Sequence, residues 1–154
     1  MALLLLLTGC DLFAPQDTLH IEETSDGVSG TVGDLYVGNA VVLTAADGTG
    51  PAGLVASLVN QGTSPLDVSI HTTSGSDAVA LAPSGVVQLG VPDGQTIEFD
   101  GLDAKPGGLT DVTFENGAET LTLEVPVLDG GLTQYRDLVP TMTPTPTPTT
   151  RTSK

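Results

Sequence analysis

From about residue 28 the chain is written in short runs that alternate apolar and polar positions. Leu35, Val37, Val41 and Leu43 alternate along DLYVGNAVVLTA, with Gly38-Asn39 predicting a bulge or a break. LVASLVN (54–60) follows, then the turn signal QGTSP. Leu66, Val68 and Ile70 alternate, as do Val79 and Leu81, and then Val87, Leu89 and Val91. Ile97 and Phe99 make a shorter run before GLDAKPGG, and Val112 and Phe114 precede the hairpin signal ENG (115–117). The clearest strand is the last: Leu121, Leu123, Val125 and Val127 face one way, Thr120, Thr122 and Glu124 the other. Pro126 has no N–H to give a ladder, which predicts an edge or a strand end there. No window sustains a helical period. Seven or eight short strands spaced this way predict an all-β fold, an antiparallel Greek-key β-sandwich of immunoglobulin-like or cupredoxin-like kind.

Flanking segments differ in texture. Residues 11–27 carry acidic side chains, no basic one and little periodicity, as expected of a solvated tether; His20 lies within it. The end of the chain, TMTPTPTPTTRTSK, is a Thr-Pro repeat that favours an extended polyproline spacer, either unmodified or O-glycosylated. The expected organisation is a signal segment (1–9), an acidic tether beginning at Cys10 (10–27), a β-sandwich domain (28–130) and a disordered tail (131–154).

Composition sharpens this picture. The 154 residues include three Phe, two Tyr and no Trp, so the core must be aliphatic. Nineteen Asp and Glu against four Lys and Arg leave a formal charge of -15, and the first basic residue is Lys105. Such a surface cannot displace counterions from phosphates, which argues against a nucleic-acid partner. A single cysteine excludes an intramolecular disulfide.

That cysteine closes the opening run MALLLLLTGC. Leu7-Thr8-Gly9-Cys10 resembles the lipobox of bacterial lipoproteins, in which an aliphatic and two small residues precede an invariant cysteine. The small residues admit a peptidase to the bond before Cys10, and the thiol takes a diacylglyceryl group. Two or more acyl chains anchor firmly, at about 0.8 kcal/mol per buried CH2. The run is too short to span a bilayer, and it lacks the basic residues of a signal n-region, so the start is expected upstream. The resemblance implies a lipid-anchored protein on the extracytoplasmic face of the cell membrane, with the anchor as its membrane contact.

Catalytic chemistry finds little support. Gly48-Thr49-Gly50-Pro51-Ala52-Gly53 fits G-x-G-x-x-G, but a dinucleotide site needs a helix to begin there, and the next apolar run is strand-like. A hairpin loop is expected instead. No G-x-S-x-G or S-x-x-K is present, and His71 is the one histidine of the expected domain. The pairs Asp100/Asp103 and Asp129/Asp137 match turn chemistry better than a calcium loop. No enzyme activity and no cofactor are expected.

Two stretches, GLVASLVNQGTSPLDV and DGQTIEFDGLDAKPGGLTDVTFENGAETLTLEVPV, resemble the PCu(A)C-type copper chaperones. The shared features are a strand followed by Asn-x-Gly, the Gly101-Leu102 turn, an x-V-T-F strand and a last strand ending Val125-Pro126-Val127. With the lipobox and the Thr-Pro tail, the whole resembles actinobacterial lipoproteins related to that family, over residues 32–128. The family holds copper(I) with soft His and Met ligands, and the positions matching its His-x-Met pair are Thr96 and Glu98. The methionines, Met1 and Met142, fall in the signal and the tail. His71 is a candidate metal-binding residue but cannot by itself hold copper(I). The resemblance thus implies the fold while the ligands are missing. The expected function is that of a lipid-anchored binding or accessory module with an envelope protein partner. The alternatives are a copper metallochaperone with a non-standard site and a glycosylated spacer.

Overall fold

The computed structural model describes residues 25–141. Leu7, Thr8, Gly9, Cys10 and His20 lie outside the described residues, as do Met1 and Met142. Nine strands follow one another, and no helix occurs among the described residues. They are β1 (Val28–Val32), β2 (Leu35–Leu43), β3 (Ala52–Asn60), β4 (Leu66–Thr72), β5 (Gly75–Leu81), β6 (Val86–Leu89), β7 (Glu98–Phe99), β8 (Leu109–Asn116) and β9 (Glu119–Leu128). The hydrogen-bonded order is β5-β4-β8-β9-β2-β3-β6, with β1 paired to β2 and β7 to β3. The all-β sandwich expected from the alternation is present, with two short strands more than its lower count.

β9 joins the two halves. It pairs antiparallel with β8 from Glu119 to Pro126, then runs parallel to β2 at Val127 and Leu128. Pro126 therefore stands where the strand leaves one partner for another, the place where a missing N–H costs least. The β8–β9 hairpin turns through Gly117 at φ 63°, a left-handed conformation that glycine adopts without a Cβ penalty.

Gly38-Asn39 is a bulge, and it has a consequence for burial. Asn39 takes φ 50°, its side-chain Oδ1 accepts from Gly27 N at 3.0 Å, and its own N–H donates to Ser29 Oγ at 3.0 Å. One extra residue reverses the alternation beyond it. Leu35 and Val37 face the main core before the bulge; Ala40 and Val42 take over after it. Val41 and Leu43, which the simple alternation puts on the same face as Leu35, point to the opposite side.

The main core is aliphatic apart from two aromatic side chains, Phe99 and Phe114, with Leu35, Leu54, Leu58, Ile70, Leu81 and Leu89 also buried in it. On the far side of β2 and β3 a second cluster gathers Val41, Leu43, Val55 and Tyr135, with Leu138 and Val139 against them. These last residues belong to a strap, residues 129–141, that follows β9 across the outer face. Packed chain therefore extends past residue 130, into the stretch whose composition places it with the tail. Double coverage explains why AVVL and AGLVASLV read as near-continuous apolar runs. Gly53 permits the strap to approach, since a Cβ there would meet Pro140 Cγ at 2.8 Å.

The strap is latched to the start of the domain. Tyr135 Oη and Gln134 Nε2 both donate to Asp26 Oδ2, each at 3.1 Å. Burial, and then the Asp26 carboxylate, hold the Tyr135 hydroxyl above its ordinary pKa of 10.0. A group raised on folding contributes stability that is complete below its ordinary pKa and lost as pH climbs through the higher folded one. The latch should hold through neutral pH and release only in strong alkali. In a Tyr36→Phe background, which leaves Tyr135 as the one tyrosine, the phenolate absorbance should rise later than for free tyrosine. Adding Asp26→Asn should bring it only part of the way back, because burial remains.

Candidate functional site

Two places carry the residues singled out by sequence. His71 lies on the outer face of β4, opposite Ser76 of β5 and Thr113 of β8. Its Nε2 stands 3.3 Å from Glu115 Oε2, an ion-pair distance, yet the approach is not aligned for a hydrogen bond. The surrounding face offers hydroxyls, including Thr113 Oγ1 and Thr122 Oγ1 at 2.9 Å from each other. His71 is half-exposed, and among the described residues it has neither a second imidazole nor a sulfur beside it. Among the described residues no group of three or more His, Cys, Asp or Glu could hold a metal ion.

Thr96 and Glu98 lie elsewhere, on the edge that completes β3. Two short strands share that edge: β6 pairs with Ala56–Val59 and β7 with Ala52 and Gly53. Between them residues 90–97 loop outward, closed at the base by Gly90 N to Gln95 O at 2.9 Å, while Ile97 O accepts from Leu54 N at 3.0 Å. Ile97 is buried, so Thr96 and Glu98 on either side of it are turned to solvent. The strap runs alongside, and together loop and strap enclose a cleft of about 420 Å³. Gly53 and Val55 of β3 lie within it; Val91, Thr96 and Glu98 line one side, and Asp137, Val139 and Thr141 the other.

The other sequence candidates resolve into turns. In GTGPAG the first four residues lie in the β2–β3 hairpin loop and Ala52-Gly53 open β3, with Asp47 Oδ1 accepting from Thr49 N at 3.0 Å and from Thr49 Oγ1 at 2.8 Å. The Thr49 bonds hold the Asp47 carboxyl below its ordinary range. Asp129 accepts from Gly131 N at 2.8 Å and starts the strap. Asp137 is brought not to Asp129's turn but to the cleft, a placement its acidic pairing in the sequence did not indicate. The usable signal was Leu132, Tyr135, Leu138 and Val139, apolar residues ahead of the Thr-Pro repeat.

No protein-family model matches the chain, and no curated protein matches it. Solved structures do. The copper-bound PCuAC domain from PmoF2 is similar at TM-score 0.53 and 20% identity, covering 66% of this chain and 98% of that one. The apo PCuAC domain from PmoF1 is similar at TM-score 0.52 and 20% identity, with the same coverage. The apo PmoF2 domain gives TM-score 0.53 and 19% identity, over 68% of this chain and 98% of that one. The fold is PCuAC-like, as the sequence resemblance implies. Whether the residues fit copper(I) as a cargo is a question of donor atoms. At the positions that the sequence resemblance matches to the soft pair, this chain offers the Thr96 hydroxyl and the Glu98 carboxylate, hard oxygens that copper(I) disfavours. They do not fit.

Proposed function

We propose that this protein is a lipid-anchored, extracytoplasmic binding or accessory module without catalytic activity. Cys10 bears the lipid, the acidic residues that follow tether the domain, and the sandwich presents its surface to another envelope protein. The observation that carries the reading is the chemistry of the β7 edge. There the sandwich presents the Thr96 hydroxyl and the Glu98 carboxylate, the residues that the sequence resemblance sets at the soft-donor pair, and the strap adds a second wall. Among the described residues, the neighbour of His71 is the Glu115 carboxylate, which is not a hydrolytic nucleophile paired to a base. A second reading, copper delivery from a non-standard site, is favoured by the likeness to PCuAC domains, nearly the whole of which this chain covers.

Membrane fractionation of cells making the wild-type chain and Cys10→Ser tests the anchor. The wild type should sediment with the membrane and carry diacylglyceryl and acyl mass on Cys10, and the variant should be released. Equal membrane retention of the two would overturn it. Crosslinking of the anchored protein in intact envelopes should then yield a stoichiometric partner, whereas a chain found only with itself would contradict the accessory role.

A further inference from the structure

We infer that the cleft between loop 90–97 and the strap receives a basic side chain, arginine or lysine, presented by a partner protein. The inference rests on the reading of the chain as a binding module and names the chemistry of its contact. Glu98 arrives from β7 and Asp137 from the strap, so two carboxylates from separate elements border one cavity. No lysine, arginine or histidine is among the described residues lining it. The mixed lining also includes the apolar side chains Val55, Val91, Leu138 and Val139. That combination matches a long cationic side chain, whose methylene stem covers apolar surface while its head group meets the charge. The volume, about 420 Å³, is within the range of small recognition pockets. A formal charge of -15 on the whole chain would also draw a basic surface toward it. A metal ion is the poorer occupant, since no third acidic, thiol or imidazole ligand stands with these two among the described residues.

The test uses the full chain carrying Cys10→Ser, titrated with acetyl-Leu-Arg-Leu-amide and with the same peptide holding citrulline, the neutral isostere of arginine. The arginine peptide should bind one to one in the submillimolar range, and the citrulline peptide about tenfold more weakly or worse. Glu98→Gln with Asp137→Asn should cost about tenfold as well. Asp67→Asn with Glu124→Gln removes the same charge from exposed positions on β4 and β9; it should change affinity by less than about twofold, through the screened general field alone. Amide shifts should move at Gly53, Val91 and Val139 and not along β4 and β8. Equal losses in the two double variants, or no saturable binding of the arginine peptide, would overturn the inference. If that happened while crosslinking still yielded a partner, the cleft assignment alone would fall; loss of both would remove the binding-module reading.

Discussion

Asn60→Asp is expected to destabilise the domain by about 4 kcal/mol or more, out of a total of about 5–15 kcal/mol for a domain of ordinary stability. Asn60 is 1% exposed at the end of β3. Its Nδ2 donates to Ser64 O at 2.7 Å and to Ala82 O at 2.9 Å, and its Oδ1 accepts from Gly62 N at 2.9 Å. One side chain thus ties two loops, 61–65 and 82–85, to the strand. An aspartate has the same shape, but in place of two donors it turns an oxygen toward two carbonyl oxygens and buries a charge. Asn60→Ala removes the donors without adding the charge and should cost about 2–4 kcal/mol. Urea unfolding of the three proteins checks the order. The aspartate variant should also recover partly as pH falls, because the introduced carboxyl regains a proton and one donor. Equal losses in the two variants would mean that the loops are held by something else.

Phe114→Ala should cost about 3–5 kcal/mol. Phe114 is fully buried on β8, opposite Ile70 of β4 and Leu121 of β9, and no tryptophan shares the core with it. The branched aliphatic residues around it are held by their own strands and cannot close the space left by a ring. Phe114→Leu retains most of the volume and should lose clearly less. Thermal unfolding with matched denaturant titrations reads both, and a loss under about 1 kcal/mol for the alanine variant would contradict the packing described.

Asn60 also shows how the sequence carries information at two levels. The Asn-x-Gly that carries part of the sequence resemblance is legible as a motif, and the structure supplies its reason: Asn60 Oδ1 caps Gly62 N while Nδ2 spans the neighbouring loop. Strand β9 is legible for a simpler cause, since Leu121 to Val127 bury one face and expose the other over most of their length. β2 is harder. Its alternation is clear on either side of Gly38-Asn39, but the count of residues in the bulge decides which face Val41 and Leu43 take, and pattern alone does not carry that count. β1 is missed because VSGTV buries little surface of its own and leans on Leu121 and Leu123. The strap escapes for the opposite reason: its apolar residues are few, irregular and next to a repeat that dominates the composition. The cleft depends on bringing Glu98 and Asp137 together across a sheet edge, and no spacing along the chain encodes that meeting.

The replaced ligand pair at the β7 edge is the central claim, and a copper(I) competition titration of the full chain tests it most directly. With Thr96 and Glu98 in place the protein should hold no copper(I) more tightly than micromolar against a competing chelator, and Thr96→His with Glu98→Met should strengthen binding at least about tenfold by restoring soft donors. One equivalent of copper(I) held at nanomolar affinity or tighter by the unmodified chain would contradict the account.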